Sequence, residues 1–148
     1  MILEQIGVVK SPVTEGVDEG WGAVTSEMVI DEEYAQGLTG LDAFSHILVV
    51  FYMHRFTFDA GSHLVRRSQG RSDMPKVGIF AQRAKHRPNP IGVTTVELAS
   101  VEGSVVTVRG LDAIDGTPVL DIKPYFPVFD QREAETPSWV DELMNGYF

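Results

Sequence analysis

Ile91-Gly92-Val93-Thr94-Thr95-Val96-Glu97-Leu98-Ala99-Ser100-Val101-Glu102-Gly103-Ser104-Val105-Val106-Thr107-Val108-Arg109 is the stretch that decides the fold class. It reads as two strands, Ile91 to Val101 and Val105 to Arg109, and the pair Glu102-Gly103 between them suits a tight hairpin turn. Working outward, Val77 to Ala81 reads as a strand before the hairpin. Val119 to Ile122 reads as one after it, beyond an Asp115-Gly116 turn. Upstream, Ile2 to Val9 and Thr25 to Asp31 are β-like, and Glu32 to Gln36 suits one helical turn stopped by Gly37. The continuous aliphatic and aromatic run Ile47 to Met53 suits a strand buried on both faces. Thr136-Pro137 looks like a helix start, with proline at the first helical position, for a short helix ending near Asn145. Many short strands with few helices predict an all-β fold, a single closed or nearly closed β-barrel domain with a short C-terminal helix.

The chain has 148 residues, enough for one domain with a real core. It has no cysteine, which excludes disulfides and thiolate chemistry and argues against a zinc site. No metal is expected. The N-terminus lacks a basic region followed by a long apolar stretch, so no signal peptide is read there. The longest apolar run, Ile47 to Met53, is far shorter than the ~20 residues of a membrane span. A soluble, cytoplasmic protein is the expectation.

Net charge is −9, which by itself argues against a nucleic-acid partner, but the charge is segregated. Arg55 to Arg87 holds eight Lys/Arg and two acids, a balance of +6; the remainder stands at −15. Such segregation gives an acidic protein a local anion-attracting surface. Its centre is Arg83-Ala84-Lys85-His86-Arg87-Pro88-Asn89-Pro90. Two prolines fix the backbone beside four cationic or imidazole side chains, which reads as a stiff, positive loop at the mouth of a sheet. Phe56 to Pro75 is polar and long for a structureless loop, a length usual for lids and binding loops.

Four segments together resemble one family: Gly40-Leu41-Asp42-Ala43-Phe44-Ser45-His46-Ile47, Gly78-Ile79-Phe80-Ala81-Gln82-Arg83, His86-Arg87-Pro88-Asn89-Pro90-Ile91-Gly92, and Gly110-Leu111-Asp112-Ala113-Ile114-Asp115-Gly116-Thr117-Pro118-Val119-Leu120-Asp121-Ile122-Lys123-Pro124-Tyr125. They are similar to the TsaA-like, or TrmO, family over roughly residues 3 to 130. The resemblance implies a β-barrel that binds S-adenosyl-L-methionine and methylates the exocyclic amine of threonylcarbamoyladenosine beside the tRNA anticodon. It implies a homodimer with the cofactor near the subunit interface, and a tRNA anticodon loop as partner. Asp18-Glu19-Gly20-Trp21-Gly22-Ala23 stands where longer members carry a Pro-Arg-Gln element, and the C-terminal tRNA-docking domain of longer members is read as absent from residues 1–148.

By that resemblance the cofactor contacts are His54, Arg55, Arg83, Val93 and the backbone of Thr117, Pro118, Val119 and Leu120. A guanidinium at Arg55 suits a carboxylate bidentately, and an ordinary charged strand end is the alternative. Arg83 stands either at the cofactor or in a surface ion pair. His86 and Arg87 are placed on the substrate side, with a general-base role for His86 left open. Asn89, Asp121 and Tyr125 are the candidate catalytic residues. Asn89 offers an amide to a base edge, or merely forms a turn. Asp121 pairs with the cofactor's ammonium or with Lys123, or is simply a strand-end residue. Tyr125 covers a sulfonium by cation–π attraction, stacks on a base, or is a core aromatic. Pro118 and Pro124 suggest that their strand lies at a sheet rim. The residues leave open a small-molecule or protein acceptor in place of tRNA, and a non-catalytic cofactor-binding module.

Overall fold

The computed structural model describes residues 1–148. Its strands are β1 (Gly7–Lys10), β2 (Thr25–Ile30), β3 (His46–Tyr52), β4 (Val65–Arg67), β5 (Lys76–Gly78), β6 (Ile91–Glu102), β7 (Val105–Arg109) and β8 (Pro118–Pro124). Three short helices accompany them: α1 (Ala60–His63) between β3 and β4, and α2 (Pro127–Asp130) and α3 (Trp139–Met144) after β8. Six strands close an antiparallel barrel in the order β1-β2-β7-β6-β3-β8, and β8 returns to β1. Closure leaves the barrel no free edge.

The hairpin that decided the fold class is there. Glu102 pairs with Val105, so its two-residue loop is Gly103-Ser104, one position beyond the expected pair. Gly103 supplies the φ of +60° that such a loop needs. Inward residues alternate with outward ones along each wall strand. Val9, Met28, Ile30, Ile47, Val49, Phe51, Val96, Val106, Val108 and Val119 converge in one buried core.

Several expectations are corrected. The first strand begins at Gly7, and Met1 to Gln5 are exposed because they find no neighbouring strand. β3 is buried on one face only: Ile47, Val49 and Phe51 point in, while His46 and Tyr52 are exposed. The turn after β2 runs through Gly37 to Leu38. Val77 to Ala81 is not a barrel strand. Its first half lies in β5, which pairs only with β4 as a separate two-stranded ribbon, and Ile79–Ala81 turns as a 3₁₀ helix. The polar stretch Phe56 to Pro75 is therefore structured, holding α1 and β4. Nor is β8 a rim strand. It pairs with both β1 and β3, and its prolines occupy its first and last positions, where a missing N–H is tolerated. Leu120 is the extra residue of a bulge between the Val50–Asp121 and Phe51–Val119 pairs.

Candidate active site

A cleft of about 970 Å³ opens where β3 ends and β6 begins. Its floor is barrel wall: Phe51, Gly92, Val93 and Thr94. The basic loop Arg83–Arg87 forms one side and the β4–β5 ribbon another, through Arg66 and Ser68. The segment from Leu143 to Phe148 and the turn at Trp21 close the far side. That volume is at the upper end for small-molecule and cofactor sites.

Gln82, 6% exposed, fixes the basic loop to the ribbon. Its amide nitrogen donates to the carbonyls of Arg66 (3.0 Å) and Val77 (2.9 Å), and its oxygen accepts from Ser68 Oγ at 3.1 Å. One side chain thus joins both strands of the ribbon to the residue before Arg83. Arg87 braces the same loop from the other end, donating through Nη1 to the carbonyls of Gln82 and Ala84 at 2.9 and 3.2 Å. Arg83 Nη2 donates to the Val93 carbonyl at 2.6 Å, which ties the loop to β6.

Across the cleft, Asp112 accepts from Thr94 Oγ1 and from Tyr147 Oη, both at 2.5 Å. Both carboxylate oxygens are therefore engaged by neutral hydroxyls. Burial pushes the Tyr147 phenol well above its ordinary value, and the charge of Asp112 adds to the shift. The Tyr147 segment is held by backbone bonds: Gly20 and Trp21 N–H donate to the carbonyls of Gly146 and Tyr147 at 2.9 and 2.8 Å. A Cβ on Gly22 would stand 2.6 Å from the Phe148 carbonyl carbon, so only glycine lets the segment lie this close.

The structure brings His54, Arg83, His86, Arg87, Val93 and Thr117 together on the cleft. Arg55 points elsewhere, donating to the Thr14 carbonyl at 3.4 Å. Pro118, Val119 and Leu120 fall outside the cleft lining, and Val119 is wholly buried in the core. Asn89 is exposed in the proline loop, off the lining. Asp121 and Tyr125 lie on the outer side of the barrel. Asp121 pairs with Lys123 at 2.8 Å, raising the lysine above its ordinary value, and Tyr125 meets His46 edge to face at 6.3 Å. Asn89, Asp121 and Tyr125 therefore do not come together within one chain. Asp112, Thr94, Gln82, Trp21 and Tyr147 were not singled out from the sequence. Two of them lie in the family-like motifs, Gln82 in Gly78–Arg83 and Asp112 in Gly110–Tyr125.

The donor set suits a ligand carrying both charges. Arg83, Lys85 and Arg66 offer cations and Asp18 and Asp112 offer carboxylates on one lining. His54 Nδ1 is buried with no hydrogen-bond partner in the chain, a polar group that calls for an outside one. No group of three metal-ligating side chains is present, and no helix is long and apolar enough to cross a membrane.

The family model of the tRNA-methyltransferase O N-terminal domain matches residues 17–131. The chain belongs to this family. An S-adenosyl-L-methionine-binding protein of Archaeoglobus fulgidus is 40% identical over 144 residues, which cover 93% of this chain and 100% of that one. The tRNA (adenine(37)-N6)-methyltransferase of Escherichia coli is 38% identical over 147 residues, covering 92% of this chain and 62% of the enzyme. A crystal structure of TrmO from P. aeruginosa superposes with a TM-score of 0.76 at 30% identity, over 94% of this chain and 61% of that one. The chain thus spans less than two thirds of the length of the E. coli enzyme and of that TrmO. The barrel is the family's fold.

Proposed function

We propose that this protein is an S-adenosyl-L-methionine-dependent methyltransferase acting on the N6 nitrogen of adenosine 37, in its threonylcarbamoyl form, in the tRNA anticodon loop. The observation that carries the reading is the cleft itself. An acidic chain of net charge −9 concentrates Arg66, Arg83, Lys85, His86 and Arg87 around one opening large enough for a cofactor and a base. The anticodon loop is single-stranded, so its bases can be splayed into such a cleft.

The residues present fit the cofactor. Arg83 suits its carboxylate and Asp112 or Asp18 its ammonium. The unpartnered His54 Nδ1 offers a further polar contact, and Phe51 and Val93 give apolar surface. When bound, the cofactor supplies an electrophilic methyl group whose transfer leaves a neutral thioether. The chain's own work is positioning and exclusion of water. The Arg83 bond to Val93 and the Gln82 clamp fix the cationic loop against β6. Trp21, Tyr147 and Phe148 wall the far side. Arg66 and Lys85 hold phosphates of the loop, so tRNA binding weakens steeply as salt rises.

A homodimer belongs to the same reading. Toward the cleft the outer face of β3 and β6 is apolar, with Val50 beside Val93 and with Tyr52 and Val93 each 40% exposed, while His46, Thr95 and Glu97 lie farther along it. Beside it Phe44, Phe126 and Phe129 form a stacked row, with centroids 5.8 and 6.0 Å apart. The cleft runs onto this face through Leu48, Val93 and Thr95. A second copy seated there would wall its open side, and Asp121 and Tyr125 of the outer face would then stand at a shared site. A tRNA substrate puts the protein in the cytoplasm.

The test uses purified protein, methyl-labelled cofactor, and tRNA with and without the threonylcarbamoyl group. Label in the modified tRNA alone is the expected result. Cofactor binding in the calorimeter without transfer to either tRNA would overturn the acceptor and leave the cofactor.

A further inference from the structure

One imidazole on the cleft is fixed from three sides. His86 stacks face to face on His63, with centroids 4.4 Å apart and planes 11° from parallel. Phe56 meets it edge-on, with centroids 5.6 Å apart and planes at 84°. Its Nδ1 lies 2.7 Å from the Thr57 carbonyl. A carbonyl oxygen only accepts, so Nδ1 carries the ring proton and Nε2 of the neutral ring is a bare acceptor. Nε2 has no hydrogen-bond partner in the chain. His63 is held in the opposite tautomer. The Asp59 backbone N–H donates to its Nδ1 at 2.9 Å, so its proton sits on Nε2. Two backbone groups, on Thr57 and Asp59, therefore set the two rings.

We propose that His86 Nε2 is the proton acceptor of the transfer reaction and that His63 is a positioning residue acting through it. The inference rests on the methyl-transfer reading above. The acceptor nitrogen would form a new C–N bond as the methyl group's bond to the donor sulfur breaks, with that electron pair left on sulfur, and it must lose one proton. Its N–H bond breaks, the electron pair stays on nitrogen, and the proton goes to His86 Nε2, giving an imidazolium that releases it to solvent. Of the other acceptors on the lining, both Asp112 oxygens already receive a hydroxyl hydrogen bond and His54 Nδ1 is buried, whereas the His86 tautomer is set by a backbone carbonyl. His86 lines the cleft and His63 does not, which separates the two roles. The charged and titratable groups around the ring are Lys85 and Arg87 of its own loop, and His63 and Asp59 of the segment beneath it. Gly16 abuts Lys85 and Phe56 from a third segment.

The test compares wild type with His86→Asn, whose amide can still donate to the Thr57 carbonyl but offers no base. At saturating cofactor and threonylcarbamoyl-tRNA, kcat of the variant falls about 100-fold, a usual size for losing a general base. Cofactor affinity by calorimetry stays within about threefold of wild type. The wild-type rate shows an acid limb of unit slope that the variant lacks. His63→Phe keeps a stacked ring, so it keeps the limb at reduced kcat. A His86→Asn enzyme within threefold of wild-type kcat, with the acid limb unchanged, overturns the proposal. A wild type that methylates no tRNA overturns the underlying reading instead. Long-range ¹H–¹⁵N spectra of the free protein give a readout without turnover: an Nε2-protonated neutral His86 removes the base assignment.

Discussion

The barrel and the cleft wall are built from different bonds. In the barrel, backbone ladders close on themselves and ten inward side chains share one apolar core. In the cleft wall, the ribbon and the basic loop are joined mostly by single side chains reaching backbone carbonyls, and the Tyr147 segment by two backbone bonds and the Tyr147–Asp112 pair. A core shares its stabilisation among many contacts, so damage to it is global. A wall of individual clamps should open piece by piece.

The largest effect expected from one substitution therefore lies in the barrel. Ile47 is wholly buried near the start of β3, between its partners Val96 on β6 and Pro124 on β8. Ile47→Ala should cost about 2–5 kcal/mol of global stability, as lost burial plus cavity. Urea denaturation should show a lower midpoint with the slope unchanged. A drop below roughly 1 kcal/mol would mean the barrel collapses around the gap, and the contrast with the wall would weaken.

Next comes Gln82→Ala. It leaves the carbonyls of Arg66 and Val77 and the Ser68 hydroxyl without their partner, a loss of about 1–3 kcal/mol. The effect should be local. Hydrogen exchange should accelerate in Val65–Arg67 and Lys76–Gly78 and leave β6 and β7 protected. Faster exchange through the whole barrel would show that wall and core unfold as one unit.

The same division decides what could be read from the chain. Strand positions were legible because alternation and turn residues are local signals. The misreading of β3 has a physical origin in its outward residues. Leu48 and Val50 are as apolar as the inward ones, since that face carries the cleft's extension and the proposed subunit contact. β5 looked like barrel because a three-residue ribbon strand carries the same side chains as a wall strand. The basic loop was legible through its composition. The clamps around the cleft were not, because Gln82 reaches Ser68 and Arg66, 14 and 16 residues away, and Asp112 meets Thr94 and Tyr147, 18 and 35 residues away. No periodicity marks such a pair. The His63–His86 stack escaped for the same reason.

The smallest effect concerns the far side of the cleft and appears only in alkali. The Tyr147 phenol is pushed above its ordinary value of 10.0 by burial and by Asp112, so the folded state holds its proton more tightly than the unfolded chain. Below the unfolded value both states are protonated and the contribution is fully present. Above it the unfolded chain binds fewer protons than the folded one, and stability falls as pH rises. Denaturant midpoints measured from pH 8 to 11.5 should therefore decline above about pH 10. Tyr147→Phe should flatten that decline while removing one donor from Asp112 at every pH. If the decline is as steep in the variant, another group is responsible, and the Tyr147 segment is held by its backbone bonds to Gly20 and Trp21 alone. The far side would then resemble the barrel, a wall made by main-chain pairing, rather than the clamped loop opposite it.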